Sequence, residues 1–491
     1  MMNRTSQTLS TLMIAILAVA AVPDGRADDE VRAIGSRREL FVDRYLIDTL
    51  DGAELRLATP RPAETVLRFD RPYEGVFAGY VTVLKDADTY RMYYRGLAAS
   101  KKGEALHSLD TEVTCYAESR DGIKWHKPDL GLYELHGSRD NNVILAHSPA
   151  CHNFAPFLDT RPGVPADERY KAVGGKRDTG LLAFVSADAV RWRLLRDEPI
   201  ITGGAFDSQN VVFYSEHEGC YVCYYRTSKK IGGAGYRWIT RTTSSDFLHW
   251  AAPTEMHFGD APPEQYYTNQ TLPYFRAPHL YVALFARFWP GRRVISDETA
   301  RELDVVGDYA NDCSDAVLMT SRGGAKYDRT FLESFIRPGP GAANWVSRTN
   351  YPARGIVPTG PGDMSCYVQR EYAQPGHHLQ RCVLRTDGFA SVHAGYNGGE
   401  MTTHPLTFSG KRLALNYSTS AAGSLRAEIQ DADGTPIAGY ALADSIEMIG
   451  DELDGLVSFK SGRDVSKLAG RPVRIRFVLK DADLYAMRFV E

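Results

Sequence analysis

Four acidic residues stand at or just before strand-like runs: Glu74 in Arg71-Pro72-Tyr73-Glu74-Gly75, Asp207 in Phe206-Asp207-Ser208-Gln209-Asn210, Glu264 ahead of Gln265-Tyr266-Tyr267, and Asp363 in Gly360-Pro361-Gly362-Asp363. One carboxyl group so placed can protonate a leaving oxygen, and a second can attack or activate water. Breaking a glycosidic bond needs that pair. Asp207 and Glu74 are the first choice for it, with acid and base roles unassigned. Each acid could equally cap a turn or sit solvated, the usual fate of Asp and Glu. Asp43, on an N-terminal strand, reads as one half of a structural salt bridge.

Amides, guanidinium groups and flat rings suit sugar hydroxyls and apolar sugar faces. Tyr80, His152, Asn153, Gln209, Asn210, Asn269, Arg348 and Tyr351 occupy comparable positions near strand starts and form the expected binding set. His152 could as well be a satisfied structural histidine. No His or carboxylate cluster has ligand spacing, so neither a catalytic metal nor another cofactor is expected; an axial Ca²⁺ stays open. There is no Gly-x-Ser-x-Gly elbow and no phosphate loop.

The elements that must position these groups announce themselves by repetition. Ser119-x-Asp121-x-x-x-Trp125 recurs as Ser186-x-Asp188-x-x-x-Trp192 and Ser244-x-Asp246-x-x-x-Trp250, then, worn, as Ser321-x-Gly323-x-x-x-Tyr327 and Thr386-Asp387-Gly388-Phe389. A strand-rich unit repeating every 60 to 80 residues or so implies sheets that bury their faces on one another. Five units predict an all-β, five-bladed β-propeller over residues 36–396, with chemistry at its axis. The Ser and Asp side chains should hold a tight turn, and the Trp should pack into the blade. Glu39-Leu40-Phe41-Val42 is expected to close the ring as an N-terminal strand. From residue 397 to 491, alternating runs such as Leu413-Ala414-Leu415-Asn416-Tyr417 predict a second all-β unit, a β-sandwich.

The chain has 491 residues, 43% hydrophobic and 24% charged, and a net charge of −4 without basic blocks. This is globular composition, and it does not suggest nucleic-acid or electrostatic membrane binding. Residues 1–27 carry a basic start, a short apolar run and an Ala-x-Ala-like exit. They read as a secretory signal, implying a secreted or periplasmic protein. The apolar run is too short to span a bilayer comfortably. Seven cysteines leave at least one unpaired. Cys220 and Cys223, three apart on a strand, face opposite ways and make a poor redox pair.

The order of inner strand, Tyr-rich hairpin and Ser-x-Asp-x-x-x-Trp turn resembles the five-bladed propeller glycoside hydrolases, invertase-like and arabinanase-like. Phrases such as Glu39-Leu40-Phe41-Val42-Asp43 and Phe206-Asp207-Ser208-Gln209-Asn210 resemble an exported bacterial branch of that group. The resemblance implies an exported glycosidase acting on an oligo- or polysaccharide. The invertase signatures Asn-Asp-Pro-Asn-Gly, Arg-Asp-Pro and Glu-Cys are absent, so catalytic roles carry over by blade position only. Two other functions stay open: a non-catalytic carbohydrate-binding propeller, and a glycoside phosphorylase using Arg95, Arg226 and Arg348 on phosphate.

Overall fold

The computed structural model describes residues 30–98 and 111–491; the expected signal segment lies outside them. Five four-stranded antiparallel sheets are arranged as the blades of a propeller. Blade one is Gly79–Asp86, Thr89–Leu97, Glu112–Ser119 and Val143–Ala146, and blade two is Ala155–Leu158, Tyr170–Lys176, Gly180–Ser186 and Arg193–Leu194. Blade three is Val211–Ser215, Cys220–Ile231, Ala234–Ser244 and Thr254–Glu255. In blade four the inner strand is split into Gln265–Asn269 and Leu272–Tyr274, both paired with Ala277–Trp289, which also pairs with Cys313–Ser321. Blade five is Val357–Pro358, Asp363–Arg370 and His378–Arg385, completed on its outer edge by Arg61–Arg68.

That outer strand closes the ring, and it is not the segment expected to do so. Glu39–Leu40, Ile47–Asp51 and Ala53–Leu57 pair instead with strands near the C-terminus. Together with Arg32–Gly35 and the strands from Ala390–Ala394 onward they make a ten-stranded sheet, threaded by the long strands Arg412–Asp431 and Val473–Val490. Its core gathers Phe41, Leu46, Leu425, Ile475 and Phe477. Asp43 makes the anticipated salt bridge, to Arg322 at 3.3 Å.

The repeated turn is built as its residues dictate. Ser119 Oγ accepts from the Gly122 N–H at 2.9 Å, and Asp121 Oδ1 accepts from the Ile123 and Lys124 N–H groups at 2.8 Å each. Ser186 with Asp188 and Ser244 with Asp246 do the same. The residue after the Asp takes positive φ: +72° at Gly122, but also +68° at Ala189 and +72° at Phe247. Non-glycine residues tolerate this because the Ser and Asp oxygens bind the turn's N–H groups. Each turn then sends its Trp towards packed aromatics. Trp125 meets Tyr367 of blade five at 6.0 Å, and Trp192 meets Tyr93 of blade one at 6.2 Å. Edge-on aromatic pairs of this kind add about 1 kcal/mol beyond their burial.

The axis is plugged low down. Arg354, 4% exposed, donates to Pro156 O at 2.8 Å and Val212 O at 2.9 Å, tying blades two and three to blade five. Gln209 Nε2 donates to Thr82 Oγ1 and Gln270 Nε2 to Gln209 Oε1, both at 2.7 Å. At Gly355 a Cβ would sit 2.4 Å from Val83 O, so only glycine lets the backbones meet here. Above this floor the axis opens.

Candidate active site

The opening is an axial funnel of about 240 Å³ lined by residues of all five blades. Tyr80 and Arg95 come from blade one, His152 from the start of blade two and Asp207 from the start of blade three. Tyr267, Thr268 and Gln270 come from blade four; Arg348, Tyr351, Gln369 and Tyr372 lie on or beside blade five. Of the expected residues, Asp207, Tyr80, His152, Arg348 and Tyr351 are therefore brought together. Asp207 is the carboxylate among the described lining residues, with its side chain 56% exposed and held by Arg226 Nη2 at 2.8 Å.

The segment carrying Asp207 is clamped from several sides. Asn153 Nδ2 donates to Ser208 O at 2.8 Å and also to Phe206 O, the two carbonyls flanking Asp207. Asn210 Nδ2 reaches the same pair at 2.9 and 3.3 Å, and Tyr80 Oη donates to Asp207 O at 3.1 Å. Asn153 and Asn210, expected to bind substrate, thus position the acid instead. Their amide nitrogens are engaged because Phe206 takes φ +53°, which turns its carbonyl inward. Tyr80 at φ +51° and Arg348 at +61° are held in the same left-handed region. Such conformations cost about 1–3 kcal/mol each and persist where surrounding contacts enforce them, often at sites.

The other predicted acids stand apart from the funnel lining. Glu74 is fully buried, accepting from Tyr94 Oη at 2.6 Å and pairing with Lys127 Nζ at 2.7 Å. Glu264, just before the inner strand of blade four, is clamped between Arg287 at 2.8 Å and Arg329 at 2.7 Å. Asp363 opens a strand of blade five and lines a separate, open cleft with Arg61, Arg385 and Asp451. Gln209 belongs to the floor, and Asn269 Oδ1 accepts from the Thr271 N–H at 2.9 Å, fixing the break in blade four's inner strand.

Behind the wall is a buried polar network that the sequence did not signal. Glu112, 1% exposed, lies 2.7 Å from His152 Nδ1 and 2.7 Å from Lys176 Nζ. A carboxylate on one ring nitrogen orients an imidazole and stabilises its protonated form. Tyr267, Thr268, Gln270, Gln369 and Tyr372 were also not anticipated. Tyr267 carries Arg226 at 4.7 Å, Arg237 at 4.9 Å and Arg348 at 5.2 Å from its ring centroid, and meets Tyr351 at 5.0 Å. Burial raises the Tyr80 and Tyr351 phenols well above the usual range, so both stay protonated donors. Burial opposes charge on Arg95 and Arg348, but the oxygens around them, Tyr372 and Tyr267 foremost, raise both above the ordinary arginine value.

Among the described residues no cluster of three or more His, Cys, Asp or Glu could hold a metal ion. No helix among them is long and apolar enough to cross a membrane. All seven cysteines are free thiols. No protein-family model and no curated protein matches the chain. Solved structures do resemble it. BT0996, in a complex with RGII, is 12% identical with a TM-score of 0.44, covering 66% of this chain and 92% of its own. A variant fructofuranosidase from Schwanniomyces occidentalis complexed with fructosylnystose is 10% identical with a TM-score of 0.38, covering 89% and 99%. The β-1,2-mannobiose phosphorylase from Listeria innocua is 10% identical with a TM-score of 0.42, covering 66% and 95%. The five blades, seen directly in the strand pairing, define the fold.

Proposed function

We propose that the chain is an exported carbohydrate-active enzyme that cleaves a glycosidic bond in the axial funnel, with an oligo- or polysaccharide as substrate. One observation carries the reading: Asp207 presents an accessible carboxylate on a clamped loop, inside a cavity walled by Tyr80, Tyr267, Tyr351 and Tyr372. Phenol rings offer apolar faces for a sugar, and the protonated hydroxyl of Tyr351, which has no partner, is a donor for its oxygens. Asp207 handles the proton of the leaving oxygen or of water. With Glu74 tied to Lys127, the second proton-handling group is His152, oriented by Glu112 at 2.7 Å.

A glycan panel with wild type and Asp207→Asn tests this. The expected result is release of sugar from one substrate class, with kcat falling about 10²–10⁴-fold in the variant. Binding without turnover by the wild type would favour a non-catalytic carbohydrate-binding propeller. Export rests on the character of residues 1–27, and N-terminal sequencing of the mature protein should find a start just past that segment. We further read residues 397–491 as a β-sandwich. The long strands Arg412–Asp431 and Val473–Val490 carry register shifts where they could fold over the shared core.

A further inference from the structure

The funnel holds more positive charge than a neutral sugar requires. Arg348 donates through Nη1 to Tyr309 Oη at 2.7 Å, its Nε has no hydrogen-bond partner, and it makes no ion pair among the described residues. Arg95, 5% exposed, donates to Phe77 O at 2.9 Å and stands 3.8 Å from Glu112, and its Nε is also unpartnered. The two guanidinium groups are near enough to oppose each other's charge. The nearby carboxylates are shared with other cations, and neither pairs with Arg348. Asp207 is engaged by Arg226 at 2.8 Å, and Glu112 by Lys176 and His152 at 2.7 Å each.

The same wall carries more unsatisfied polar atoms. Tyr351 Oη and Thr268 Oγ1 are buried and have no hydrogen-bond partner; the two residues are 5% and 1% exposed. A chain of net charge −4 has placed a local cationic patch here, so the patch does not follow from a basic surface. A half-buried guanidinium without a counter-charge is costly, and so is a buried hydroxyl without a partner. One ligand oxyanion removes both costs together, because guanidinium forks match carboxylate and phosphate oxygens.

We infer that the funnel takes an anionic group, a carboxylate or a phosphate, shared by Arg348 and Arg95 with the Tyr351 and Thr268 hydroxyls as further donors. The inference deepens the reading of the funnel as a glycan-cleaving site and rests on it. Two sources supply such a group. One is a uronic acid unit of the glycan, with water as the acceptor of the cleaved sugar. The other is inorganic phosphate acting as the acceptor. In that case a phosphate oxygen bonds to the anomeric carbon as the glycosidic C–O bond breaks, and the proton that phosphate brings passes through the Asp207 carboxylate to the leaving oxygen. A glycosyl phosphate leaves without any redox change.

The test is isothermal titration of the full mature chain with glucuronate, galacturonate, glucose and inorganic phosphate at constant ionic strength. Wild type, Asp207→Asn, Arg348→Lys and Arg348→Met are compared. A hexuronate or phosphate should bind at least about tenfold tighter than glucose. Arg348→Met should abolish the preference and Arg348→Lys should weaken it, because an ammonium keeps the charge and loses the fork. Asp207→Asn should bind the anion at least as well as wild type, since it removes a neighbouring negative charge. Preference for hexuronate alone assigns the anion to the glycan, and preference for phosphate alone assigns it to the acceptor; either supports the inference. Equal binding of glucose and the hexuronates with no phosphate binding overturns it, as does full preference in a folded Arg348→Met. If Arg348→Met does not fold, the wild-type comparison and Arg348→Lys decide. Anion binding by a protein that cleaves no glycan leaves this inference standing and removes the cleavage reading.

Discussion

Replacing Arg322 by Met should loosen the seam between propeller and C-terminal sheet, by an amount the structure lets us work out. Arg322 ends a strand of blade four and reaches Glu39 at 2.7 Å and Asp43 at 3.3 Å, both beside the C-terminal sheet. Glu39 also meets Arg37 at 2.8 Å and His279 at 3.1 Å, with its side chain fully buried. Burial pushes the Glu39 carboxyl up, but Arg322, His279 and Arg37 together hold it down at about 2, against an ordinary 4.5. A gap of about 2.5 pH units corresponds to about 3 kcal/mol. Asp43 works the other way, because burial outweighs Arg322 and raises its carboxyl. Removing the shared guanidinium leaves two buried carboxylates short of charge, which costs about 2–4 kcal/mol at pH 7. At about 2 °C per kcal/mol for a large chain, Tm should fall by roughly 4–8 °C. The sign with pH follows from Glu39. Its contribution is complete above pH 4.5 and is lost as pH falls towards about 2, so the gap between wild type and variant should narrow over that window. Differential scanning calorimetry from pH 7 down to 3 reads this directly. A variant that melts with wild type at pH 7, or a gap that ignores acidification, would refute the reasoning.

Other outcomes follow from the same contacts. Asn153→Ala strips the clamp from the Phe206 and Ser208 carbonyls, so kcat on the cleaved glycan should fall about tenfold or more through misplacement of Asp207, with a stability loss of about 2–3 kcal/mol by denaturant titration. Asp188→Ala removes the oxygen that accepts from the Val190 and Arg191 N–H groups in a turn with Ala189 at φ +68°; chemical denaturation should show a loss of about 1–2 kcal/mol. The seven thiols should leave Tm insensitive to reductant, and a thiol reagent should titrate the buried ones only as the chain unfolds.

Much of the fold was legible because the Ser-x-Asp turn is a local device. Its hydrogen bonds lie within a few residues, so its recurrence counted the blades. Closure was not legible. Glu39-Leu40 and Arg61–Arg68 both read as strands, and only long-range pairing decides that the second joins His378–Arg385. In the site, Asp207, Tyr80, His152, Arg348 and Tyr351 could be picked because strand starts face the axis. Asn153 and Asn210 misled because the positive φ at Phe206, ahead of the strand, points carbonyls at their amides. Glu74 gave no sign that Lys127, far along the chain, would bury it. Tyr267 and Gln270 lie close to Asn269 in Tyr267-Thr268-Asn269-Gln270, and a register shift between Tyr266 and Thr268 disturbs the strand alternation there. Tyr372 follows Glu371 at φ +56°, a turn that no residue pattern announces.

The account stands most directly on where substrate lies. A crystal of Asp207→Asn soaked with the oligosaccharide chosen by the glycan panel should place a glycosidic oxygen within about 3 Å of the residue 207 side chain, in the axial funnel beside Arg348. A glycan seated elsewhere, for example in the cleft beside Asp363 and Arg385, with the funnel empty, would contradict it.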